Sequence, residues 1–122
     1  VFVGQRLKLK LSVFTNEDIS ELVVGMLIRN NLGVEIFGTN SQYLDQQLIN
    51  LSAGKKISMQ FNFTAHLGPG SYSVAVALHQ SENHVEKNFD WQDHAVIFEV
   101  INKSHQIFTG TSWLPVNFEK LP

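Results

Sequence analysis

The chain has 122 residues, no cysteine and a formal net charge of −2 at pH 7. This length supports one hydrophobic core, and a chain without cysteine has neither disulfides nor thiolate metal sites. The nine lysine and arginine residues are scattered along the sequence, which argues against a nucleic-acid binder with a continuous basic stripe. No apolar run approaches the roughly 20 residues that a membrane span needs, so we expect no such span.

Alternation of apolar and polar residues predicts strands from the start of the chain. Residues 6–14 alternate leucine or valine with lysine or serine, which predicts a half-buried strand with a basic outer side. Residues 21–30 form a second predicted strand that is apolar on both sides, so we expect its outer side to be covered or used. A hairpin turn at 30–33 leads into a short antiparallel strand at 34–40.

The middle of the chain combines one weakly patterned segment with two clear strands. Residues 41–55 show no alternation and allow only a short helical turn at 43–47. Residues 57–63 alternate large apolar residues with polar ones, which predicts the cleanest amphipathic strand of the chain. The glycines and proline at 67–70 form a tight turn, after which every second residue from Tyr72 faces one side of a strand.

The last third contains a predicted polar loop at 81–88, a core strand near 95–100 and a strongly apolar tail. A tail of this composition needs a surface to dock on, and an edge strand rich in aromatic residues favours a second copy of the chain. We therefore predict that the segment 105–122 forms a dimer interface through Ile107, Phe108, Trp113, Leu114, Val116 and Phe118.

About seven to nine short strands, without a long helix or a fixed repeat, predict an all-β domain over residues 1–122. The architecture that fits this pattern is an immunoglobulin-like antiparallel β-sandwich. Tyr72 resembles the tyrosine corner of such domains, in which the hydroxyl bonds to nearby backbone. The cysteine pair and the tryptophan of true immunoglobulin domains are absent.

The sequence lacks the motifs of the common catalytic and metal sites. Residues 53–56 lack the leading glycine and the hydroxyl of a phosphate-binding loop, and neither a nucleophile elbow nor a zinc-binding helix occurs. The spacing of His79, His84 and His94 matches no metal signature. Asp90 and Asp93 would suit glycoside hydrolysis as a pair, but aspartates in this setting usually serve turns. We expect no metal, no cofactor and no enzymatic activity, with a glycan hydrolase as the least favoured alternative.

Several turns and strand ends, taken in order, are similar to those of one known family: Gly25, the turn 30–33 with the segment 34–40, the corner 67–72, and the segments 90–91 and 98–100. They resemble the carbohydrate-binding C-terminal domain of O-antigen ABC-transporter ATPase subunits, the Wzt family, over roughly residues 5–112. The resemblance implies a cytoplasmic module, at the inner face of the inner membrane, that recognises the end of a lipid-linked polysaccharide before export. It also implies an ATPase domain on the N-terminal side, a transporter membrane subunit as partner, and a homodimer that can exchange its terminal strand.

In that family the residues that contact sugar differ with the polysaccharide that is bound, so no contact residue is transferred from the resemblance. The candidate site is chosen instead by what a glycan needs: planar polar groups, an aromatic face and a shallow open surface. The outward-facing residues of the corner strand are small side chains followed by a histidine, and they form a shallow trough. The strand at 21–30 adds an arginine on the same side. This surface suits a dimer interface equally well, so a dimerisation domain without its own ligand is the alternative. The polar side of the strand 57–63 is a second candidate surface, and the loop end with Gln80, His84, Asp90 and Trp91 is a third. We favour the first and third together, because both lie along or just beyond the corner strand. The predicted carbohydrate contacts are Arg29, Ala75, Ala77, His79, Gln80, His84, Asp90 and Trp91.

Overall fold

Seven strands in two antiparallel sheets make up the computed structural model, which describes the backbone of residues 1–82 and 85–122 and the side chains of residues 1–80 and 95–122. These ranges contain no helix, and hence none with the length and apolar character to cross a membrane. The predicted all-β antiparallel sandwich is confirmed. The strands are β1 (Arg6–Phe14), β2 (Ile19–Asn30), β3 (Glu35–Asn40), β4 (Leu48–Leu51), β5 (Lys56–Thr64), β6 (Gly70–Glu82) and β7 (Val85–Val100).

The two sheets differ in width. The small sheet consists of β1 and β5, which pair along their full length from Arg6 opposite Thr64 to Phe14 opposite Lys56. The large sheet has the order β3-β2-β6-β7, and β4 pairs with the first half of β2. Within the described residues, both outer edges of the small sheet therefore remain unpaired.

The hydrophobic core lies between the small sheet and one side of the large sheet. Alternate residues of β2, from Leu22 to Ile28, and of β6, from Tyr72 to Val76, are buried on this side. Phe61 of the small sheet packs against both parts of this core. Full burial of one large apolar side chain contributes about 1.5–3 kcal/mol, so the period of two in these strands sets the orientation of both sheets.

The corner before β6 is held by one buried hydrogen bond. The hydroxyl of Tyr72 donates to the carbonyl oxygen of Gly68 at 2.7 Å, and only 3 % of the tyrosine is exposed. Its ring stacks on Phe98 of β7, with 5.7 Å between the centroids. The burial of the hydroxyl raises the pKa of Tyr72 above its ordinary value of 10. Tyr72 thus occupies the predicted tyrosine corner.

A second buried polar contact closes one end of the sandwich. The fully buried hydroxyl of Thr15 donates to the carbonyl oxygen of Ser52 at 2.7 Å and accepts from the amide of Lys55 at 3.0 Å. The amide of Gly54 donates in turn to the carbonyl oxygen of Thr15 at 2.6 Å. The turn after β1 is therefore tied to the turn before β5.

The segment 41–51 departs from the sequence expectation. The helical turn expected at 43–47 does not form a helix, and the strand β4 appears where none was predicted. Ser41 explains the difference, because its amide donates to the carbonyl oxygen of Val24 at 2.8 Å and its hydroxyl accepts from the amide of Val24 at 3.0 Å. These bonds hold the loop against β2 and bring the next residues into line as an added strand.

The hairpin of β6 and β7 is longer than predicted. β6 reaches Glu82 and β7 begins at Val85, so the loop expected at 81–88 is wrong in its bounds; residues 83–84 lie outside the described residues. The core strand expected near 95–100 is the end of β7. The hydrogen bonds between paired strands join backbone groups, which every residue has, so a strand can form without apolar residues. Such a polar strand shows no alternation of apolar and polar residues in the sequence.

The tail docks on the corner through backbone bonds. The amide of Gly68 donates to the carbonyl oxygen of Thr111 at 3.1 Å, and the amide of Trp113 donates to that of His66 at 3.0 Å. The approach is close at Gly68, where a Cβ atom would lie 1.8 Å from the carbonyl oxygen of Gly110. Only glycine fits this position.

Replacing Tyr72 by phenylalanine removes the donor to Gly68 while keeping the ring. We expect a loss of about 1–2 kcal/mol in the free energy of unfolding, measured by urea denaturation. The matched control is Tyr43→Phe at an exposed position, for which we expect a change within about 0.5 kcal/mol. Equal stability of the two variants would contradict the role of the buried bond.

The raised pKa of Tyr72 also predicts a dependence of stability on pH. Above about pH 10 this tyrosine ionises in the unfolded chain but stays protonated in the folded one, so the unfolded chain binds fewer protons. The free energy of unfolding should fall as the pH rises through this range and be insensitive to Tyr72 below it. The Tyr72→Phe variant should show a smaller alkaline decrease, and an unchanged decrease would show that other groups cause it.

Replacing Gly68 by alanine should displace the tail. The added methyl meets the backbone of Gly110, so we expect a loss of about 1–3 kcal/mol and a shift in tryptophan fluorescence as Trp113 leaves its contact. The control is Gly25→Ala, because a Cβ atom there would meet its nearest neighbour at an ordinary 3.6 Å. If Gly68→Ala matches this control in both measurements, the tail does not dock as described.

Candidate functional site

The side of the large sheet that faces away from the core forms a continuous surface across β2 and β6. The register pairs Val23 with His79, Gly25 with Ala77, Leu27 with Ala75 and Arg29 with Ser73. Paired residues of antiparallel strands share one side of the sheet, so the predicted pairing of these two rows is confirmed. We call this surface the outer face, and its members are Val23, Gly25, Leu27, Arg29, Ser73, Ala75, Ala77 and His79.

The floor of the outer face is made of small side chains. Ala75 is 2 % exposed and Ser73 is also buried, although both point away from the core. Gly38 of β3 pairs with Leu27, whose Cδ1 atom lies 3.0 Å from the place where a Cβ of Gly38 would stand. The large side chain of Leu27 therefore lies over Gly38, while Gly25, Ala75 and Ala77 give the two central strands a floor of small residues.

At one end the outer face opens into a cavity of about 440 Å³ beside the hairpin of β2 and β3. The turn is held by Asn30, whose Oδ1 atom accepts from the amides of Leu32 and Val34, each at 2.9 Å. Gly33 adopts φ +78° in this turn, a conformation that favours glycine. We call this the hairpin cavity, and its lining is Arg29, Asn30, Asn31, Gly33, Ser71, Tyr72, Ser73 and Ile97.

The lining of the hairpin cavity combines hydrogen-bonding groups with one apolar wall. Arg29 brings a planar guanidinium group, Asn31 an amide, and Ser71 and Ser73 hydroxyls. Ile97, which is 70 % exposed, supplies the apolar contact. The lining contains no carboxylate and no histidine, and no metal-binding group of acidic, histidine or cysteine residues occurs in the described part of the chain. This arrangement suits the binding of a polyhydroxylated ligand better than acid–base chemistry.

The structure brings together half of the predicted carbohydrate contacts. Arg29, Ala75, Ala77 and His79 all lie on the outer face. Gln80 pairs with Leu22 on the opposite side of the sheet and is only 4 % exposed, which separates it from this surface. The remaining three contacts stay predictions: His84 and the side chains of Asp90 and Trp91 lie outside the described residues.

Of the eight lining residues of the hairpin cavity, Arg29 alone was among the predicted contacts, and those that were missed include Asn31, Ser71 and Ile97. Asn31 carries a usable signal, because an amide in a hairpin turn next to a predicted binding strand projects near the end of that strand. Ser71 and Ile97 meet Arg29 only through strand registers that the sequence does not specify.

The six predicted interface residues of the tail fall into two groups. Phe108 and Trp113 pack against the core of their own chain, and Trp113 also stacks on His66 at 5.4 Å between the ring centroids. The other four are strongly exposed, to 96 % for Phe118. These four are Ile107, Leu114, Val116 and Phe118.

The small sheet leaves the core accessible along both of its edges. A cavity of about 230 Å³ opens beside β1, lined by apolar residues that include Leu7, Leu9 and Phe98. A second cavity of about 230 Å³ opens beside β5, lined in part by Val24 and Met59. Each edge thus offers unpaired backbone groups next to an apolar slot.

Comparison with known proteins gives one family match and a match to a solved structure. The family model of the Wzt C-terminal domain matches residues 1–114. A crystal structure of the C-terminal domain of wzt superimposes with a TM-score of 0.86 at 21 % sequence identity, covering 99 % of this chain and 73 % of that chain. At this identity the structural likeness shows a shared fold. A search among curated proteins gives no match.

Proposed function

This chain belongs to the Wzt C-terminal domain family, and on that premise we propose that it is the carbohydrate-binding module of an O-antigen ABC transporter. The module binds the end of a lipid-linked O-antigen polysaccharide and couples its recognition to export. It acts by binding, while ATP hydrolysis belongs to a separate nucleotide-binding domain of the same subunit. It works at the cytoplasmic face of the inner membrane, next to the membrane subunit of the transporter.

The observation that carries this proposal is the hairpin cavity and its continuity with the outer face. A sugar ring presents hydroxyls around its rim and an apolar side, which match the donors of Arg29 and Asn31 and the exposed side chain of Ile97. The cavity of about 440 Å³ lies within the range of small-ligand sites. A chain end bound there would direct the following units onto the outer face.

The length of the outer face fits a polymer. The distance from the pair Arg29–Ser73 to the pair Val23–His79 covers six residue steps, or roughly 20 Å along the strands. The floor between them consists of small residues, so we propose that sugar units lie over the sheet along this length. His79 stands at the far end, where it can bond to a hydroxyl of an inner unit.

Removing two polar groups of the hairpin cavity should weaken glycan binding without unfolding the chain. Asn31 and Ser71 are exposed, so the double variant Asn31→Ala/Ser71→Ala should keep its fold. We expect roughly a tenfold or larger loss of affinity for the cognate polysaccharide, measured by isothermal titration calorimetry, because two hydrogen bonds are lost.

The matched control removes two amides from the other candidate surface. Gln60 and Asn62 lie on the exposed side of β5, where the Nε2 atom of Gln60 donates to the Oδ1 atom of Asn62 at 3.1 Å. The variant Gln60→Ala/Asn62→Ala should bind like the wild type. If this control loses affinity and the cavity variant does not, the glycan binds on the small sheet. If neither chain ends nor repeat units produce heat with the wild type, the proposed function is wrong.

A second proposed role is homodimerisation through the tail. The four exposed apolar residues of the tail and the unpaired edges of the small sheet are complementary, since an added strand would cover the apolar slot beside either edge. The tail of one copy would extend the small sheet of the other. The outer face then remains available for the glycan in both copies.

Polar substitutions in the tail should separate the copies. Val116→Ser/Phe118→Ser leaves the docked Trp113 in place and should raise the dimer dissociation constant at least about a hundredfold, because two large apolar side chains lose their burial. Analytical ultracentrifugation measures the change. The control Leu32→Ser/Tyr43→Ser alters two equally exposed apolar residues elsewhere. A wild type that stays monomeric at all concentrations, or a control that dissociates as readily, would contradict the proposal.

A further inference from the structure

The cations that look scattered in the sequence gather on one side of the small sheet. Arg6, Lys8 and Lys10 occupy alternate positions of β1 and are all exposed, while the residues between them face the core. Lys56 of β5 pairs with Phe14 and lies on the same side by the strand register. We call the exposed side of the small sheet that carries these four cations the basic face.

Nothing in the described part of the chain neutralises the basic face. Neither β1 nor β5 contains an acidic residue, and none of the four cations forms an ion pair among the described residues. The neutral neighbours are satisfied by one another, through Gln60 to Asn62 at 3.1 Å and Ser12 to Ser58 at 3.2 Å. The four charges are therefore available to an external partner.

The basic face makes the charge of the molecule strongly uneven. Four formal positive charges lie here in a chain whose formal net charge is −2, so the rest of the molecule carries a formal net charge of −6. An anionic partner would be attracted by this side and repelled by the others. The asymmetry would orient the molecule as well as attract it.

We propose that the basic face is a docking surface for an anionic lipid bilayer. The cations are spread along the sheet at intervals of roughly 7 Å on β1, which suits a partner with many charges over an area. Phe14, 60 % exposed, stands beside Lys56 and supplies the apolar side chain that such surfaces insert among lipid headgroups. A soluble acidic polymer would use the cations but would gain little from Phe14.

The expected affinity of the basic face for an anionic bilayer is modest and depends on the salt concentration. Each lysine or arginine near an anionic membrane contributes about 1 kcal/mol, which corresponds to roughly a fivefold change in affinity per residue. Exposed charges are screened beyond about 8 Å at physiological ionic strength, so the attraction should weaken steeply as salt is added. Docking of this kind orients a protein that another contact holds near the bilayer. It does not depend on the glycan site, so the two proposals stand separately.

Co-sedimentation of the chain with vesicles tests this inference. The wild type should bind vesicles that contain phosphatidylglycerol and should not bind vesicles of phosphatidylcholine alone. Lys8→Gln/Lys10→Gln should lower the affinity for the anionic vesicles roughly thirtyfold. Phe14→Ser should lower it further in the same background, because it removes the inserted ring. All three positions are exposed, so circular dichroism should show an unchanged fold.

The matched control is Lys103→Gln/Lys120→Gln, which removes the same charge from exposed positions outside the small sheet. It should retain most of the vesicle binding, and an equal loss would show a general charge effect and overturn the assignment of the face. Equal binding to both vesicle types, or none, would overturn it as well. So would binding to soluble polyphosphate at least as tight as to anionic vesicles, since the partner would then be an acidic polymer. None of these readouts involves the polysaccharide.

Discussion

The pairing of β2 with β6 is the constraint on which the rest of the structure depends. Nine consecutive residue pairs, from Leu22 with Gln80 to Asn30 with Tyr72, join the two strands without a shift. Because side chains alternate, this register sends one set into the core and the other to the outer face, and a slip by one residue would exchange them. The tyrosine corner fixes the starting point of β6 through the bond from Tyr72 to Gly68. Core and candidate site are therefore two results of one register.

Local alternation was sufficient to predict β1 and β5, because each of these strands is buried on one side, while the apolar run of β2 predicted a strand that is buried on both sides over part of its length. Local alternation failed where long-range hydrogen bonds decide the conformation. Ser41 holds its loop to Val24 and creates β4, and no residue in the loop indicates this contact in advance. The polar hairpin of β6 and β7 was missed for a related reason, since backbone pairing needs no apolar period. The buried bonds of Thr15 to Ser52 and Lys55 likewise join segments far apart in sequence.

The candidate site likewise contains residues that could be placed from the sequence and residues that could not. Arg29, Ala75 and Ala77 could be placed on one surface from the sequence, because parity along two strands and their pairing suffices. Gln80 shows the limit of this reasoning: it was assigned to a loop end, while the continuing strand turns it to the side of Leu22. Ser71 reaches the hairpin cavity through the register of β2 with β6, and Ile97 through its pairing with Ser73 across β6 and β7; no local pattern specifies either register.

The small sheet joins distant parts of the chain, and this has a consequence for the order of folding. The hairpins β2–β3 and β6–β7 close short loops, whereas the pairing of β1 with β5 closes a loop of about forty residues even at its near end. Closing the longer loop costs more entropy, so we expect the small sheet to assemble after the two hairpins. During synthesis, the leucines of β1 stay exposed to water until β5 has been made. The lysines that alternate with those leucines oppose aggregation of the exposed β1 segment during this time.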